Sequence, residues 1–200
     1  MTLVEINDYG DAPTFRQRWS HLLTLILAGL MLFYGLNLRS GLINAATPYT
    51  NVRAGITVNY PLNWLIDEEG DYVFRVRDMS RVGFKTTIQV ETRPIGPQTT
   101  AQNVLNTLNI NRPQTLEAYN PIATSEITLP DESPGTVLDY TFVARDPNPF
   151  LESVQVVVLG RDILTIRGSQ AIIITFRTDA ATFDTDVAIF ERFLDSLRFQ

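Results

Sequence analysis

The sequence predicts an α+β domain on an antiparallel β-sheet, preceded by a single apolar helix. Two patterns carry the domain prediction. After Gly55 most apolar residues alternate with a period of two, whereas 99–110 and the C-terminal segment follow the 3.6-residue period of a helix. The third observation is the charge-free run WSHLLTLILAGLMLFYGLNL at residues 19–38. Twenty helical residues extend roughly 30 Å, the thickness of a bilayer's hydrocarbon core.

That run reads in two ways, as a retained membrane anchor or as a cleaved signal peptide. Arg16 and Arg18 before it, and the small residues Ala45 and Ala46 after it, suit a signal. Its length exceeds the usual signal core, and Trp19 and Tyr34 stand near its ends, where amphipathic rings favour the interface. The anchor is the preferred reading. Two arginines before the run against Arg39 just after it orient the N-terminus to the cytoplasm and the domain to the extracytoplasmic side.

The expected organisation is a polar tail (1–18), a transmembrane helix (19–38), a linker (39–50) and a domain (51–200). Gly10 and Pro13 mark the tail, and Gly41 and Pro48 oppose helix continuation through the linker. About 150 residues suffice for one hydrophobic core. Beyond Leu38 the chain carries a net charge of −5, which argues against nucleic-acid binding. With no cysteine there is no thiol catalysis, thiolate metal site or disulfide. Fifteen of the sixteen cations are arginine; Lys85 is the single lysine.

Within the domain, residues 56–60 alternate as a strand until Pro61, and 64–66 resume it. Residues 72–77 follow the acidic turn 67–71, and 86–92 form another alternating run. Residues 99–110 place Ala101, Val104, Leu105 and Leu108 on one helical face, with Thr99 or Thr100 as N-cap. Strands return at 122–129 and 136–144, parted by the turn-rich 130–135. Segments 153–159 and 163–167 read as two strands, with Gly160-Arg161-Asp162 as a hairpin loop. The apolar run AIIITFR at 171–177 suits a central strand. A final amphipathic helix puts Val187, Phe190, Leu194 and Leu197 on one stripe and turns Asp186 away from it.

Two segments together carry a resemblance. Residues 55–64 (GITVNYPLNW) open the domain. At its end come 171–177, 182–184 and 190–199 (FERFLDSLRF). In order and spacing across 51–200 the chain resembles PsbP-like domains. The resemblance implies a central antiparallel sheet packed between helices. It also implies an extracytoplasmic or lumenal accessory subunit, best known from the lumenal face of photosystem II. A transmembrane anchor departs from the plant members. The domain also contains no histidine, the best ligand for a metal role.

Candidate site residues are few. Tyr60, Pro61 and Trp64 read first as core packing, and otherwise as a partner-contact patch. Asp67, Glu68, Glu69 and Asp71 lack the spacing of a Ca²⁺ loop and read as a solvated acidic turn. Asp179, Asp184 and Asp186 suit the N-terminal end of the last helix. His21, the only histidine, reads as an interfacial polar residue rather than a haem or chlorophyll ligand. No nucleophile elbow, phosphate loop or dinucleotide fingerprint is present. The sequence therefore predicts no enzyme activity and no cofactor. It predicts an accessory subunit of a membrane complex, photosynthetic or respiratory by the resemblance alone. Its partners would be other subunits and the lipid bilayer. Ala28, Gly29, Gly35, Tyr60 and Trp64 are the interface candidates, the three small residues because they let helices approach closely in lipid. The alternative is a free-standing anchored domain that binds a small ligand or peptide.

Overall fold

Between Ala171 and Phe176 five of six side chains are apolar, so a strand made from them must be covered on both faces. The computed structural model describes residues 15–43, 45–145 and 154–199, and the chain divides at Ala45/Ala46 into two units. The first unit contains α1 (Phe15–Ile43). The second runs β1 (Ala46–Asn51), β2 (Ile56–Pro61), β3 (Leu65–Asp67), β4 (Phe74–Arg77), β5 (Thr87–Pro94) and α2 (Ala101–Asn111). After a 3-10 turn (Arg112–Gln114) follow β6 (Glu117–Thr128), β7 (Pro134–Ala144), β8 (Val156–Arg167), β9 (Gln170–Asp179), α3 (Phe183–Ser196) and β10 (Arg198–Phe199).

Seven strands form an antiparallel sheet in the order β3-β4-β5-β9-β8-β7-β6, which puts β9 at its centre as its composition requires. A small antiparallel sheet, β1-β2-β10, closes against it. Each face of the large sheet has its own core. On one, Phe74, Val76, Ile88, Val90, Ile174 and Phe176 meet Ile56 and Val58 of β2 and Phe190, Phe193 and Leu197 of the C-terminal segment. On the other, Leu138, Tyr140, Leu164 and Ile173 meet Val104, Leu105 and Leu108 of α2. The expected architecture, a central antiparallel sheet packed between helices, is the one observed.

Local chemistry explains the helices. Thr100 is extended (φ −96°, ψ 162°), and its hydroxyl accepts from the Asn103 N–H at 3.3 Å, which caps α2. Pro113 then supplies no N–H, and the chain passes into the 3-10 turn. In α3 the buried stripe is Asp186, Phe190 and Phe193, with Leu194 only half-buried. The stripe is thus shifted from the expected one, because Phe193 fills the space beside Phe190 and Phe74.

Three local expectations are corrected. Residues 39–50 are not an irregular linker: 39–43 complete α1 and Ala46–Asn51 form β1, paired along its length with β2. Gly41 inside a helix costs only about 1 kcal/mol, too little to stop so apolar a segment. The expected tail likewise enters α1 from Phe15, and residues 1–14 lie outside the described residues. Strand β6 begins at Glu117 rather than 122, with register shifts between Glu117 and Ala123 that absorb Pro121.

The largest correction concerns Gly160-Arg161-Asp162, which is the middle of the continuous strand β8 and not a hairpin loop. The actual reversal is Gly168-Ser169, where Gly168 has φ +56°, and Arg167 pairs with Gln170 across it. Each residue of the Gly-Arg-Asp triplet has a reason to lie in a strand. Gly160 faces Tyr140 of β7, whose ring occupies the place a Cβ would take. Arg161 donates to both carboxylate oxygens of Asp139 at 2.7 and 3.0 Å. Asp162 turns inward to a buried arginine.

Any side chain at residue 160 must displace the Tyr140 ring. Gly160→Ala is expected to lower stability by about 1–3 kcal/mol, read as a lower urea midpoint at unchanged slope.

Candidate functional site

Strand register places the polar residues of the α2 side in two rows across the sheet. One row runs Arg77, Thr87, Arg177, Gly160, Tyr140. The neighbouring row runs Asp67, Arg75, Gln89, Thr175, Asp162, Leu138. Helix α2 packs against β8, so the β8 end of both rows is buried. At the β3–β5 end Asp67, Arg75, Arg77 and Gln89 remain half-exposed.

The buried end holds one charge pair. Arg112, 7 % exposed, reaches Asp162, which is fully buried. Asp162 also accepts from the Thr175 hydroxyl at 2.9 Å. The Arg112 guanidinium lies 4.2 Å from the Tyr140 ring centroid, and the Arg177 Nε donates to the Tyr140 oxygen at 3.0 Å. Burial pushes the Asp162 carboxyl upward, against the opposing pull of Arg112, Arg177 and Thr175. Burial, with Asp162 nearby, pushes the Tyr140 phenol up to about 12, so it stays protonated at neutral pH. The Arg112 Nη1 has no hydrogen-bond partner. This network clamps the end of α2 to the sheet; it presents no nucleophile to solvent.

A second buried carboxylate lies on the opposite face. Asp186 accepts from the hydroxyls of Thr178 (2.6 Å), Thr182 (2.8 Å) and Thr86 (3.2 Å), and Arg81 pairs with its other oxygen. The expectation that Asp186 faces away from the core as a helix-end charge is therefore overturned. Its three hydroxyl donors make burial tolerable and tie α3 to the 78–86 loop. Asp184 is exposed in the first turn, where the helix dipole favours it, and Asp179 accepts from the Ala181 N–H at 2.9 Å.

The half-exposed end of the rows opens into two depressions. One, about 810 Å³, has Arg75 and Arg93 balanced by Asp71 and Glu91. The other, about 300 Å³, lies between the 83–85 loop and the adjoining ends of β7 and β8. In the acidic turn Asp67 binds Arg75 at 2.6 Å, the Glu69 N–H at 3.0 Å and the Tyr72 hydroxyl at 2.8 Å. Those bonds, led by Arg75, hold its carboxyl at about 2. Among the described residues no group of three or more His, Asp or Glu side chains is placed to hold a metal ion.

The interface candidates fall in the two units, Ala28, Gly29 and Gly35 on α1 and Tyr60 and Trp64 in the β-sheet domain. Trp64 is 6 % exposed and packs in the core with the partly buried Tyr60. A tight turn, Trp64 N–H to Pro61 carbonyl at 3.0 Å, holds the indole inward. In α1, Ala28 and Gly35 are seven residues apart and nearly in line, whereas Gly29 lies about 100° round the helix from Ala28. All three are exposed, and a Cβ at Gly29 or Gly35 would meet nothing within 4 Å. His21 is also exposed on α1. Trp19–Arg39 is long and apolar enough to cross a membrane, a signature that anchors and signal sequences share.

The seven-stranded sheet between α2 and α3, with the small sheet closing one side, has counterparts among solved structures. Cyanobacterial PsbP (CyanoP) from Synechocystis sp. PCC 6803 superposes with a TM-score of 0.57 at 17 % identity, over 79 % of this chain and 94 % of that one. The fold is PsbP-like. PA94 of Pseudomonas aeruginosa, a protein of unknown function, has a TM-score of 0.50 at 12 % identity, covering 78 % and 99 % of the two chains. The Ran-binding protein Mog1p of Saccharomyces cerevisiae gives 0.50 at 8 % identity, covering 78 % and 95 %. No family model matches the chain, and no curated protein matches it. The PsbP-like fold is thus shared at identities that carry the architecture and no site.

Two predictions follow the electrostatics. Asp162→Ala leaves Arg112 buried without its carboxylate and is expected to cost about 3–5 kcal/mol in urea unfolding. The Arg112→Ala/Asp162→Ala double variant should cost less than the two single losses combined. Asp67, whose folded value lies below its ordinary 3.8, stabilises the fold at higher pH and loses that contribution as pH falls through about 2. Asp67→Asn should accordingly flatten the acid-unfolding curve between those two values.

Proposed function

We propose that the protein is a non-catalytic accessory subunit of a membrane complex, anchored by α1 with its PsbP-like domain on the extracytoplasmic side. The observation that carries this reading is α1. Its window Trp19–Arg39 has no buried side chain, and large apolar residues such as Leu25, Met31, Leu32 and Phe33 are at least two-thirds exposed. Such a surface suits a surrounding of lipid or other helices, which supports the anchor reading. The aligned Ala28 and Gly35 supply a close-approach line for a neighbouring helix, and Arg16 and Arg18 favour a cytoplasmic N-terminus. The occurrence of the fold in PsbP and in a Ran-binding protein supports protein–protein docking as the domain's role. A photosynthetic or respiratory complex is the setting the resemblance favours.

A second reading, an anchored ligand-binding domain, draws on the 300 Å³ depression, which is at the lower limit of small-molecule sites.

Gentle solubilisation of native membranes tests the first reading. The protein is expected to migrate with other subunits, and Ala28→Leu/Gly35→Leu is expected to release it while the domain keeps its melting temperature. Migration as a lone monomer, or full retention of the double variant in the complex, would overturn the corresponding part of the proposal.

A further inference from the structure

We infer that the smaller depression is a binding site for an organic carboxylate with a compact apolar body. Phe84, Val154 and Val156 supply its apolar lining, and Phe84 is held edge-on against the buried Phe142 at 6.2 Å. Its charged lining residues are Arg77, Lys85 and Arg145, with no carboxylate among the described lining residues. That is unlike the larger groove on the same face, where Asp71 and Glu91 accompany Arg75 and Arg93. Three cations lining one apolar hollow are conspicuous in a domain where 19 acidic residues outnumber 13 basic ones.

The existing contacts leave the cations with donors to spare. Arg77 approaches Asp67 only at 3.7 Å. Lys85, the single lysine of the chain, touches the Arg81 carbonyl and has three donors in all. Arg145 gives one Nη2 bond to Glu117 at 2.7 Å out of five N–H groups. A carboxylate would receive charge-assisted bonds from these groups, while its apolar body covers Phe84 and the two valines. A volume of about 300 Å³ suits a small molecule rather than an extended segment. Residues 146–153 lie outside the described residues, and the site rests on none of them.

The test uses the full chain in zwitterionic lipid nanodiscs, with empty nanodiscs as blank. The ¹⁹F linewidth of 4-fluorobenzoate is compared with that of its neutral isostere, 4-fluorobenzamide. The carboxylate is expected to bind about tenfold more tightly than the amide. Lys85→Ala/Arg145→Ala should abolish that preference at unchanged circular dichroism, whereas Arg93→Ala should preserve it. Equal binding of amide and carboxylate would overturn the proposal, as would no broadening above the blank or undiminished preference in the double variant. The comparison on the unaltered chain decides even where the double variant fails to fold. An acetylated pentapeptide ending in phenylalanine that binds tenfold more tightly than fluorobenzoate would overturn the small-molecule assignment. None of these outcomes depends on the accessory-subunit reading, which is tested by co-migration.

Discussion

Covering β9 on both faces is the constraint from which the rest of the domain follows. Its Ile172, Ile174 and Phe176 point to one side and its Ala171 and Ile173 to the other, all essentially inaccessible to water. A strand of this kind requires a layer on each side. The chain supplies α3 with β2 on one, and α2 on the other. Phe190 stacks on Phe176 with centroids 4.8 Å apart and planes 7° from parallel, so the C-terminal helix is fixed by the same strand that organises the sheet. Burying each such aromatic is worth roughly 2–3 kcal/mol, enough to set which helix face turns inward.

Two carboxylates are buried in this apolar frame, and their partners differ in kind. Asp186 is met by three hydroxyls and one arginine, all at short range. Asp162 is met by a single threonine and a buried arginine that itself retains an unpartnered nitrogen. A buried ion pair contributes little net stability over an apolar substitute, yet its loss on one side is costly. The Arg112–Asp162 pair therefore acts chiefly as a lock on where α2 ends and the sheet begins. The same polar rows continue outward to Arg75 and Arg77, so the lock and the open cationic surface belong to one face of one sheet.

The division of labour between the two units is chemical as well as structural. The first unit offers an apolar helix whose exposed surface is suited to lipid and close-packed helices. The second has a core complete on both faces and leaves a polar half-face of the large sheet half-exposed. The PsbP-like fold belongs to the second unit, and that architecture by itself dictates no chemistry.

Much of this was legible in the sequence. Period-two alternation marked β2, β4, β5 and β7, the apolar run at 171–177 marked β9, and the capped 3.6 pattern marked α2, because these signals are local and the residues obey them. The apolar run made α1 plain for the same reason, although its ends were not, since flanking glycine costs less than the run gains. Gly160-Arg161-Asp162 misled because glycine beside charge has the local signature of a turn. Only the approach of Tyr140 from β7 and Arg112 from beyond α2 makes those residues strand-like. Asp186 misled likewise, its three hydroxyl partners coming from β9, the turn after it and a loop a hundred residues earlier. The converging cations at 77, 85 and 145 were invisible for the same cause, since they meet only through strand order. The sequence by itself determined the elements, the central strand and the membrane-sized helix, since those depend on neighbours along the chain. Tertiary structure decided which charges are buried, which face stays open and where the cations converge, since those depend on contacts between distant residues.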